Sequence, residues 1–106
     1  ARAKAGLASA LAGVARTESE AERLLQTIKA DPTDPARYQA LSALYERAGR
    51  LDLAIVALRD GAAAAATAPR EIQADIAERL ATLYERADMR QEAARERARA
   101  QALRSP

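Results

Sequence analysis

The pentapeptide Leu44-Tyr45-Glu46-Arg47-Ala48 recurs unchanged as Leu83-Tyr84-Glu85-Arg86-Ala87. Further matches hold the same offset of 39 residues, pairing Leu41 with Leu80, Ser42 with Ala81 and Ala54 with Ala93. A chain that repeats helical sequence at a fixed period builds an array of stacked units, each covering its apolar face with the next. Such an array offers an extended recognition surface, so the duplication constrains function as well as fold.

Local signals place the helices. Leu7, Leu11 and Val14 fall at i, i+4 and i+7, as do Leu41, Tyr45 and Ala48, giving apolar stripes at helical period. Thr17-Glu18-Ser19-Glu20 has the form of a capping box, which predicts a helix start at that point. Asp34-Pro35 sets a capping carboxylate before a proline suited to a first turn, and Gly49 supplies a left-handed stop. Pro69 opens a further helix, and the run Ala62 to Ala66 extends the one before it, because alanine is the best helix former. These signals predict six helices, near 2–15, 18–30, 35–48, 51–66, 70–87 and 90–103. No segment alternates with period two, so strands are not expected.

Composition narrows the chemistry. Half of the chain is apolar but only three residues are aromatic, so the core has to be built from Ala and Leu. Histidine and cysteine are both absent, which removes the commonest general base, thiol nucleophile and transition-metal ligands, and no glycine-rich phosphate loop is present. We therefore expect neither an enzyme nor a cofactor or metal site; Glu18, Glu20 and Glu22 read as first-turn acids that complement a helix dipole. A net charge of +2 raises the question of nucleic acid, and Arg95, Arg97, Arg99 and Arg104 crowd the last helix. Glu92 and Glu96 interleave with them, and no aromatic stands there for a base to stack on, so nucleic acid is not expected. No apolar run approaches the ~20 residues of a membrane span, and the opening residues carry no signal-peptide pattern. The missing initiator Met and the end just after a helix are what a segment of a longer chain would show. Alanine is abundant and arginine greatly outnumbers lysine, as in GC-rich bacterial genomes, so a soluble protein of the bacterial cytoplasm or periplasm is expected.

The spacing Leu41-Ser42-x-x-Tyr45, with Ala54 nine residues after the tyrosine, resembles the tetratricopeptide repeat, W-x₂-L-G-x₂-Y…A-x₃-F…P over 34 residues. Tyr38 takes the first aromatic position, Leu58 the later apolar position and Gly49 the turn. Leu80-Ala81-x-x-Tyr84 forms a second match, and Leu7-Ala8-x-x-Leu11 an earlier one, with Leu24 and Pro32 in its second helix and closing proline. The resemblance covers nearly all of the chain as one domain, 1–106, with units 1–34, 35–73 and 74–106. Ala77 departs from it at the first aromatic, Glu20 and Arg97 at Ala and apolar positions, and the middle unit is about five residues longer than the 34-residue pattern. It implies an all-α fold of three stacked antiparallel helical hairpins, a short right-handed α-solenoid.

It also implies a binding face on the first helix of each unit. In the first copy this face holds Arg2, Ala5, Ser9 and Ala12. The second gives Gln39, Ala43, Glu46 and Arg47, and the third Asp75, Glu78, Arg79, Thr82, Glu85 and Arg86. Ala5, Ser9, Ala40 and Asp75 stand where chaperone-tail-binding members have Lys and Asn, so a carboxylate clamp is not expected. The acidic bias of Glu46, Asp75, Glu78 and Glu85 points to a protein or peptide partner of basic or mixed charge. Asp75 with Arg79, and Glu46 with Arg50, are spaced to pair along their own helices. The expected role is a scaffold or adaptor; the alternative is homo-oligomerisation through an array end, the first helix being the more apolar one.

Overall fold

The computed structural model describes the backbone of residues 2–106 and the side chains of residues 13–106. The chain is all-α: α1 (Arg2–Ala30), α2 (Pro35–Arg47), α3 (Leu51–Ala64), a 3-10 turn (Ala65–Thr67), α4 (Arg70–Arg86) and α5 (Arg90–Arg104). Among the described residues there is no strand, and no helix is long and apolar enough to cross a membrane. Packing follows chain order, α1 on α2, α2 on α3, α3 on α4 and α4 on α5.

Helix ends follow the local chemistry. Asp34 Oδ1 accepts from the Ala36 amide at 3.1 Å, and Pro35 occupies the first turn of α2 without losing a hydrogen bond. The end of α2 is a Schellman motif. Gly49, at φ 77°, donates to the Glu46 carbonyl, and the next amide, Arg50, reaches back to Tyr45 at 2.9 Å. The same geometry closes α4, where Asp88 donates to Glu85 at 3.0 Å and Met89 to Tyr84 at 2.7 Å. There the left-handed residue is Asp88, at φ 60°.

These two turns make two antiparallel hairpins, α2 with α3 and α4 with α5. Within the first, the buried Ser42 hydroxyl donates to the Ala54 carbonyl at 2.8 Å, and Gly61 lies against Tyr38. The core runs as two linked clusters. Leu41, Leu44 and Ala57 gather with Ala21 of α1, and Ile55, Leu58, Ile76, Leu80 and Leu83 fill the space from α3 to α5, Tyr45 touching both. As composition required, much of this interior is alanine: Ala54, Ala65, Ala74, Ala77, Ala81, Ala93 and Ala100 are all buried. Ala62 to Ala64 extend α3 as expected, and Ala65 enters the 3-10 turn.

The first unit departs from the expected hairpin. Helices were predicted at 2–15 and 18–30, whereas α1 runs unbroken from Arg2 to Ala30. Thr17 is not a cap: its hydroxyl donates to the Gly13 carbonyl at 3.0 Å, the i to i−4 bond of a residue inside a helix. Two physical reasons account for this. Between the two expected helices Gly13 is the nearest glycine and no proline stands there, and no residue from 13 to 30 takes the left-handed stop that Gly49 makes. In addition, where α3 carries Ala54, Ala57 and Gly61 toward its hairpin partner, α1 carries Glu20, Arg23 and Thr27 at an offset of 34 residues. A returning helix would have to bury two charges and a hydroxyl there, against little apolar gain. Ala21, Leu24 and Ile28 of α1 pack over α2. The side chains of Arg2, Ala5, Leu7, Ala8, Ser9, Leu11 and Ala12 lie outside the described residues.

The α1–α2 connection is pinned by side chains. Arg37 pairs with Asp34 and donates to the Thr27 carbonyl, while the Tyr38 hydroxyl donates to the Pro32 carbonyl at 2.8 Å. Asp31 accepts from both the hydroxyl and the amide of Thr33, which holds its carboxyl below the ordinary value.

Candidate binding groove

Helices α2 and α4 carry stripes of short and polar side chains one turn apart, Gln39, Ala43 and Glu46 on one, Asp75, Glu78, Arg79 and Thr82 on the other. The fold brings these seven residues together as the lining of a single groove of about 430 Å³. Its floor is Ser42, Leu58 and Leu83. The floor is rigid for identifiable reasons: both leucines belong to the core, and the Ser42 hydroxyl is tied to the Ala54 carbonyl. Ala43 and Thr82 are small enough to keep the groove open, and the Thr82 hydroxyl is turned back to the Glu78 carbonyl at 3.2 Å.

Three of the ten expected residues fall outside the lining. Arg47 is exposed at the end of α2, Arg86 bridges from α4 to Glu46, and Glu85 pairs with Arg97 of α5. The expected pairs along single helices are replaced by pairs between helices. Glu46 meets Arg86 instead of Arg50, which pairs with Asp52, and Asp75 meets Arg104 instead of Arg79. The reason is antiparallel register: moving seven residues back along α4 and seven forward along α5 takes the pair Glu85–Arg97 to Glu78–Arg104.

Arg104 is the residue that sequence reasoning missed. Its guanidinium meets Asp75 at 2.6 Å, Glu71 at 3.3 Å and Glu78, and the hydrogen bond it donates to Glu78 is the main reason its pKa is raised. Arg97 likewise donates to Glu85 and holds that carboxyl below its ordinary value. The acidic bias expected for the groove is thus partly offset inside the chain, since Glu46 holds Arg86 while Asp75 and Glu78 share Arg104 with Glu71. Arg79 is different, lining the groove with no carboxylate in ion-pair range among the described residues. All these groups are at least partly exposed, so each pair contributes little to stability and remains exchangeable.

Comparison of the chain with protein-family models and with curated proteins finds no match.

Proposed function

We propose that this chain is a protein-recognition module of the tetratricopeptide-like kind, a scaffold or adaptor that receives a partner segment in the α2–α4 groove. The observation that carries the reading is the convergence on one groove of seven residues that the repeat register puts on a common face. In support, the hairpins pack in sequence order, and the smallest dimension of the chain, 14 Å, fits two helical layers with axes about 10 Å apart. The array is read as the start of a right-handed α-solenoid, with the groove on its concave side.

The partner class follows from the charges. An arginine-bearing segment exchanges with Arg86 or Arg104 on Glu46, Asp75 and Glu78, while a carboxylate on the same segment meets Arg79. A mixed-charge peptide satisfies both, and surface ion pairs of this kind exchange at small cost. The role is binding, not catalysis.

A photo-crosslinking amino acid placed at Ala43 or Thr82, in the native host, tests the reading. Crosslinks to a partner are expected from these two sites and not from Val56, which is exposed on α3. Capture from Val56 alone moves the recognition surface off the groove and sinks the proposal.

A further inference from the structure

The contact that neutralises the α4 side of the groove belongs to one repeat only. All three nitrogens of the Arg104 guanidinium are engaged, Nε with Glu71 at 3.3 Å, Nη2 with Asp75 at 2.6 Å and Nη1 with Glu78. The carboxylates fall at i, i+4 and i+7 along one face of α4, a strip about 10 Å long, and Asp75 and Glu78 also line the groove. At the repeat offset of 39 residues their places are taken by Pro32, Ala36 and Gln39, and that of Arg104 by Ala65. Both sides of the contact are thus missing together from the preceding unit, where α2 and α3 pack without it. It is not part of what makes a hairpin, and its effect falls on the groove.

We propose that Arg104 is an internal competitor for the α2–α4 groove, holding its carboxylates until an arginine-bearing partner displaces it; this rests on that groove being the recognition site. The contact is built to be displaced. Glu71, Asp75 and Glu78 stay 72%, 54% and 57% exposed, so a second guanidinium reaches them while Arg104 is still in place. Arg104 is the last residue of α5, followed by the extended Ser105, and terminal turns open at little cost. Being held by the same chain, Arg104 nevertheless acts at an effective concentration that a free segment has to match. A partner with arginine alone exchanges one guanidinium for another and gains little. A partner that also brings a carboxylate to Arg79 adds an ion pair that the closed groove lacks, so the competition selects for the combination of charges. Arg97 holds Glu85 in the same way, but Glu85 lies outside the lining, so Arg97 does not compete.

Fluorescence anisotropy with a labelled alanine-based peptide carrying two arginines and one glutamate tests this. Arg104→Gln binds the peptide about three- to tenfold tighter than the unaltered chain, because the closed fraction of the groove is removed. Arg97→Gln removes the same charge and leaves the affinity unchanged. Adding Asp75→Asn and Glu78→Gln to Arg104→Gln abolishes the gain, with the same helical spectrum throughout. In the unaltered chain, NMR follows the Arg104 Nε–H, whose exchange with water is slower than that of Arg79 and quickens when the peptide is added. Equal affinity of Arg104→Gln and the unaltered chain overturns the proposal, as does an equal gain from Arg97→Gln. If the peptide then still crosslinks from a photo-reactive residue at Ala43, the groove stands as the recognition site and only the competitor role is lost. A peptide that binds no variant, or crosslinks only from Val56, removes both.

Discussion

Single residues show how two copies of one repeat reach the same turn by different means. The stop after α2 uses Gly49, for which a left-handed conformation is free of steric penalty, and the stop after α4 imposes it on Asp88. The pairing of Asp88 with Arg90 is almost fully exposed and offsets little of that strain. Asp88→Gly is therefore expected to stabilise the protein by about 0.5–1 kcal/mol, read as a rise in the urea midpoint. Gly61 presents the opposite case. A methyl added there would stand 2.7 Å from Tyr38 Cβ, the fixed root of a side chain rather than its movable end. Gly61→Ala gains about 1 kcal/mol of helix propensity but forces α2 and α3 apart, so a net loss of about 1–2 kcal/mol is expected in the same measurement. The third unit resolves this crowding by volume, with buried Ala77 and Ala100 at the positions of Tyr38 and Gly61. That exchange explains the missing aromatic at Ala77.

At the scale of elements, the caps separate what a motif permits from what a helix does. Asp34 and Thr17 both precede apolar stripes, yet only Asp34 accepts a backbone amide, and Thr17 sits inside α1. Asp34→Ala should cost about 1 kcal/mol, whereas Thr17→Ala should be neutral or raise stability by a few tenths, since alanine is the better interior residue. Thermal melts of the two variants side by side check this. A loss at Thr17 as large as that at Asp34 would mean that a helix starts there and that α1 is broken in solution. The capping box misled because Glu20 and Thr17 also satisfy an uninterrupted helix. The deciding signal was present over the next three turns, in Glu20, Arg23 and Thr27, where a hairpin partner needs small apolar residues.

For the whole molecule, stability is distributed along a line. Leu41 belongs to the cluster joining α1, α2 and α3, and Leu80 to the one joining α3, α4 and α5. At 5% and 1% exposure, each fills space that alanine would leave empty, so Leu41→Ala and Leu80→Ala are expected to cost ~2–5 kcal/mol apiece in denaturant titrations. Arg97→Ala removes an exposed pair with Glu85 and should leave the denaturant midpoint nearly unchanged. Hydrogen exchange should then localise the damage, with Leu80→Ala loosening α4 and α5 more than α1, as expected where most packing is between successive elements.

Residues alone determined the helical class, four of the five helix spans to within a few residues, and seven lining residues of the groove, because periodicity, caps and repeat register are carried by neighbours in the chain. Tertiary structure decided the rest. Whether residues 2–30 form a hairpin depended on what the returning face would have to bury, and which arginine neutralises Asp75 and Glu78 depended on the register of α5 against α4. Local sequence offers Arg79 as the partner of Asp75 at helical spacing; the antiparallel packing brings Arg104 there from 29 residues away. Long side chains choose among partners by distance in space, and that distance exists only once the helices have packed.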